Sequence, residues 1–148
     1  MTAASGRSIE AIPYSQLSVG SHVFSDRTYY FVNIGDYSPH TFYIRGPNDD
    51  KDTPGASAQW TIKVNVPVNV YLDFWCGQET KGFAQWNDGW TMSSMAPCRN
   101  SDMCGPGCQC QTGVVYEKYF ASGAIVLYGN DGHEVGTYVA FVTPAGVC

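Results

Sequence analysis

The chain has 148 residues and a formal net charge of −5, from 8 Lys plus Arg against 13 Asp plus Glu, with charged residues only 14% of the total. At roughly 100–200 residues per domain this predicts a single domain, residues 1–148, with room for a buried core. So few cations argue against a phosphate-reading nucleic-acid binder, an aromatic content of 14% against a disordered acidic segment, and the absence of any apolar run near ~20 residues against a membrane span.

Taken in chain order, the apolar residues alternate, as they do on strands with one buried face. Short strands are predicted over residues 21–24, 29–33 and 41–45, separated by the turn signals Gly35-Asp36 and Gly46-Pro47-Asn48-Asp49-Asp50. The clearest pair follows. Over residues 58–66, Trp60, Ile62, Val64 and Val66 share a face against Thr61, Lys63 and Asn65. Over residues 68–75, Val68, Val70, Leu72 and Phe74 oppose Asn69, Tyr71, Asp73 and Trp75, with Pro67 marking the boundary between the two strands. This reading puts Trp75 on the polar side and partly exposed. Residues 76–113 break the rhythm, apart from a short strand candidate at 89–94, and form a Cys- and Trp-rich insert. Strands resume at 114–121, 124–128 and 137–143. Many short strands with Gly, Pro and Asn punctuation and no amphipathic helix predict an all-β antiparallel sandwich.

Six cysteines bound the compartment. Cys98, Cys104, Cys108 and Cys110 crowd together, with Cys76 upstream and Cys148 at the end. An even count in a Gly- and aromatic-rich chain reads as three disulfides in an oxidising, extracellular setting, although the pairing is not fixed by sequence. Four thiolates could also bind zinc, but the crowded spacing contains no paired C-x2-C knuckle. The disulfides would staple the long loop. No signal peptide precedes Arg7 in this chain, so secretion is read as acting on a leader outside it.

Several segments resemble the small β-sandwich modules appended to secreted bacterial polysaccharide lyases and hydrolases. Val68-Asn69-Val70-Tyr71-Leu72-Asp73-Phe74 is similar to their first core strand, and Phe83, Trp86, Asn87, Gly89, Trp90, Thr91 and Ser93 are similar to the Trp-containing run that follows it. Tyr116 to Asn130 resembles their next strand pair, and Tyr138-Val139-Ala140-Phe141-Val142 their final strand. The resemblance covers roughly residues 60–142. It implies a galactose-binding-like, jelly-roll sandwich that is non-catalytic and holds carbohydrate. The Cys98–Cys110 segment departs from it, standing where those modules have a short polar loop.

Glycosidase chemistry needs two carboxylates facing each other across a cleft. Asp73, Glu79, Asp88, Asp102, Glu117 and Glu134 stand in no motif that pairs any two of them, and His22, His40 and His133 are scattered among turns. The chain is therefore read as not an enzyme. Sugar binding instead needs flat apolar surfaces with amides and carboxylates beside them. Trp75, Gln78, Gln85, Trp86, Asn87 and Asp88 have that composition, whereas Trp90 takes a packed position in the resembled modules. Calcium is a secondary expectation, at the Asn48–Asp52 loop through Asp49, Asp50 and Asp52, or at the Asn130–Glu134 loop. The function expected is a secreted, lectin-like, non-catalytic module for a neutral or weakly basic glycan. The alternative is a structural or adhesive extracellular protein that self-associates through unpaired strand edges.

Overall fold

The computed structural model describes residues 1–75, 82–99, 111–133 and 136–146. Its strands are β1 (Thr2–Ala3), β2 (Glu10–Pro13), β3 (Phe31–Asn33), β4 (Phe42–Arg45), β5 (Ala58–Val64), β6 (Val68–Phe74), β7 (Thr91–Met92), β8 (Cys98–Arg99), β9 (Gln111–Thr112), β10 (Val114–Phe120), β11 (Gly123–Tyr128) and β12 (Val139–Pro144). Among the described residues the only helical segments are short 3-10 turns, at Tyr14–Gln16, Asn48–Asp52 and Gly82–Gln85. All strand pairings are antiparallel. The all-β expectation holds. The strand boundaries move by a few residues, and residues 21–24 contribute only a bridge from His22 to Tyr30. The short strands β1, β2, β8 and β9 had no clear alternation to announce them. Any stapling across residues 76–113 involves cysteines outside the described residues. Cys98, the one described cysteine, is disulfide-bonded.

Three sheets form, ordered β2-β4-β12-β6-β10-β7, β1-β5-β11 and β3-β8-β9. The six-stranded sheet is apolar on both faces, and this decides where the candidate site residues fall. On one face Val68, Val70, Leu72 and Phe74 of β6 join Ile44, Ala140 and Val142 against Trp60 and Ile62 of β5 and Ile125 and Leu127 of β11. This is the sandwich core that the alternation predicts. On the other face Tyr43, Trp75, Val139 and Phe141 pack with Leu17, Val23, Phe24, Phe31 and Tyr37. The covering residues come from the long connection between β2 and β4. Aromatic pairs dominate this second layer. Tyr37 stacks on Phe141 at 4.2 Å between ring centroids, and Phe31 meets Tyr43 edge-on at 5.2 Å.

The residues of the insert that are described belong to the body of the fold. Phe83 and Trp90 are buried in the sandwich core, β7 pairs with β10, and β8 sits between β3 and β9.

Candidate functional site

Three loops that sequence reading singled out for separate reasons are joined by backbone hydrogen bonds. The Gly82 amide donates to Asn130 O at 3.0 Å, the Asp131 amide to Thr53 O at 3.0 Å, and the Gly132 amide to Lys51 O at 2.7 Å. The aromatic loop after residue 82 thus shares one surface with the two acidic loops. Glycine makes the approach close enough. A Cβ on Gly55 would collide with the Gly82 backbone, and one on Gly82 would lie 2.7 Å from the Asn130 carbonyl carbon.

Within this surface Trp86 is a half-buried hub. Its ring lies edge-on to Phe83 at 4.9 Å and to Trp90 at 5.9 Å, with Tyr128 and Tyr138 at 5.9 and 6.0 Å. Its indole N–H donates to Gly129 O at 2.8 Å. The ring is therefore fixed by the core and offers a ligand only its exposed part. Gln85, Asn87 and Asp88 are exposed beside it. Lys118 Nζ donates to the Asp88 carbonyl at 3.0 Å and lies 5.4 Å from the Phe120 ring centre, which positions the loop while leaving the Asp88 carboxylate in solvent.

Trp75 is corrected. It is fully buried, not partly exposed, because the polar side of β6 is covered by the second aromatic layer. There the Arg99 guanidinium, itself buried, lies over the Tyr29, Trp75 and Phe24 rings at 4.6, 5.0 and 5.7 Å. Asp73 is buried in the same layer, its two oxygens have no hydrogen-bond partner, and desolvation holds its carboxyl well above the usual carboxylate range. Gln78 lies outside the described residues.

The acidic candidates for calcium are spoken for individually. Asp50 is buried, with one oxygen accepting from Arg7 at 2.9 Å and the other from the Trp60 indole N–H at 2.9 Å. Asp49 pairs with Arg27 at 2.7 Å, and that bond holds its carboxyl below the usual range. Asp52 and Asp131 flank His133, at 3.2 Å from Nδ1 and 2.6 Å from Nε2. Among the described residues no three His, Cys, Asp or Glu groups converge to hold a metal ion. The loop pairing through His133 was not visible in the sequence, because its partner loops lie far apart along the chain.

A concavity of about 280 Å³ lies elsewhere, lined by Met1, Phe42, Ile44, Val64, Val66 and Pro144 among others. Its walls are mostly apolar, with Lys63 and Asn65 as the polar residues among them, and lack the set of convergent polar groups that orients a polyol. Among the described residues no helix is long and apolar enough to cross a membrane.

No protein family matches the sequence, and no curated protein matches it. Among solved structures, a β-glucuronidase from glycoside hydrolase family 2 superposes on 97% of this chain with a TM-score of 0.73 at 15% identity. This chain spans 14% of that protein's length. The likeness is one of fold.

Proposed function

We propose that the chain is a non-catalytic, carbohydrate-binding module of an extracellular protein, and that glycan contacts the laced loops through Gln85, Asn87, Asp88 and the exposed part of Trp86. The observation that carries this reading is the anchored, half-buried Trp86 with exposed Gln85, Asn87 and Asp88 beside it in the same loop, which sets planar amides and a carboxylate next to an indole. Pyranose recognition uses that pairing of a flat apolar surface with orienting polar groups. The loops are held in advance by backbone hydrogen bonds, so little ordering would oppose binding. The fold likeness to part of a β-glucuronidase is in keeping with a place beside sugar-processing machinery. A net charge of −5 favours neutral or weakly basic glycans over sulfated or uronate-rich ones. The disulfide at Cys98 supports an oxidising compartment, with its partner and the two remaining bridges drawn from Cys76, Cys104, Cys108, Cys110 and Cys148.

The test is a glycan array followed by calorimetry on the best hit, comparing the native chain with Gln85→Ala/Asn87→Ala/Asp88→Ala. These side chains are exposed, so the variant keeps the native circular dichroism and melting temperature, whereas Trp86→Ala would also damage the core. The triple variant is expected to lose about 1–3 kcal/mol of binding. An array with no hit, or a triple variant that binds as the native chain does, would falsify the reading.

A further inference from the structure

We infer that a second copy of this chain pairs with the free edge of β11, in antiparallel register about a two-fold axis, so that two β1-β5-β11 sheets become one continuous six-stranded sheet. The inference is independent of glycan binding and rests on how differently the sheet edges are treated. An unpaired strand edge is a template for another strand, and soluble proteins blunt it with short strands, charge, Pro or a covering segment. The edges at β1, β7 and β9 are two residues long, and β2 carries Glu10 and Pro13. Strand β3 is covered, since Phe31 donates to Ser21 O and accepts from the Gly20 amide. Where β10 runs past β7 it carries Lys118, and where β5 runs past β1 it carries Lys63.

Strand β11 has none of these devices. It is six residues long, Gly-Ala-Ile-Val-Leu-Tyr, and among the described residues it pairs on one side only, with β5. Among the described residues only its C-terminal end is capped, where Tyr138 Oη donates to Tyr128 O at 2.6 Å and the Gly129 amide to Ser57 O at 3.0 Å. Gly123 to Leu127 therefore presents an open ladder of alternating N–H and C=O groups. On its solvent face Ala124, Val126 and Tyr128 are exposed, Val126 by 37%.

The occupant follows from charge. In a chain of net charge −5 most surfaces would repel themselves, but β11 holds no ionisable group from Gly123 to Leu127. Two copies can meet there without bringing like charges together, and a two-fold axis sets the outward Ala124 and Val126 of one beside those of the other. The contact is small, so the dimer is expected to be weak and concentration-dependent.

Sedimentation velocity from about 1 µM to about 1 mM, a range that brackets weak association, tests this on the full chain. The native chain is expected to shift from monomer to dimer. Ala124→Lys/Val126→Lys changes only exposed side chains and should weaken dimerisation at least tenfold, roughly, by opposing like charges, with an unchanged circular dichroism spectrum. If that variant folds poorly, mixing Val126→Lys with Val126→Glu supplies a second readout, because the mixture should dimerise more strongly than either alone. A native chain that stays monomeric throughout overturns the inference. So does a lysine variant that dimerises as the native chain does, a mixture with no gain, or a monomer that takes up only foreign extended peptides on β11.

Discussion

The two faces of the six-stranded sheet carry similar apolar side chains and yet are built differently. On the face toward β5 and β11, three large polar-tipped side chains end in hydrogen bonds. The Trp60 indole N–H reaches Asp50, the Trp86 N–H reaches Gly129 O, and the Tyr138 hydroxyl reaches Tyr128 O. On the face covered by residues 14–37, the Trp75 N–H, the Tyr37 hydroxyl and both Asp73 oxygens are buried without a partner. There the Tyr43 hydroxyl, donating to Val23 O, and the half-buried Tyr14 hydroxyl, donating to Gly35 O, are exceptions. Strand packed against strand meets its polar groups at fixed spacings, whereas a loop laid over a sheet matches shape first. An unpartnered buried polar atom costs about 1–3 kcal/mol, so the second face trades polar satisfaction for aromatic packing.

The largest effects should come from removing one indole on each face. Trp60→Ala and Trp75→Ala are each expected to cost about 3–5 kcal/mol in equilibrium denaturation. Trp60→Ala should be the worse of the two, because it also strips a donor from buried Asp50. A larger loss at Trp75 would break the comparison, since its N–H makes no bond to lose.

The next prediction concerns pH. Burial raises the Asp73 carboxyl well above its ordinary value, with Arg99 offsetting only part of the shift. The folded protein therefore holds a proton that the unfolded chain releases above about pH 4, and stability falls as pH rises from there toward the folded-state pKa. Asp73→Asn removes that fall. It should melt above the native protein at pH 7 and level with it below about pH 4, where both side chains are neutral. A variant less stable than the native protein at pH 7 would show instead that an ionised Asp73 is held by Arg99.

The smallest effects are the most discriminating. Tyr138→Phe should cost about 1 kcal/mol, the value of a made hydrogen bond, whereas Tyr37→Phe should be neutral or slightly stabilising because its hydroxyl is buried without a partner. Equal losses at both positions would mean that the faces do not differ in this respect.

The same contrast explains what the sequence made legible. Alternation located β5, β6, β10, β11 and β12 to within a few residues, because a strand's period is local and β6 shows it without a break. Alternation assigns residues to faces but does not say whether a face is covered, and so by itself it leaves Trp75 partly exposed. Its cover is the long connection between β2 and β4, whose short strand candidates carry no sign of the sheet they pack on. The candidate site was legible in part for the same reason. The composition of the Trp86 loop stood out, but its junction with the Asp52 and Asp131 loops is made by backbone groups, which no side-chain pattern reports. Asp50 looked like an ion ligand because its partners, Arg7 and Trp60, lie elsewhere in the chain.

The position of β12 has a consequence for synthesis. The last of the described strands, β12, lies in the middle of the large sheet, between β4 and β6. A polypeptide leaving the ribosome can form the β2–β4 and β6–β10 pairs early, but the two halves stay apart until residues 139–144 have emerged. Through that interval β4 and β6 each hold out a bare edge, and the long-range closure that ends it is slow for any β topology. The nascent chain is thus at its most sticky just before residues 139–144 emerge, and a ribosome stalled short of Val139 would leave a species for holdase chaperones to shield.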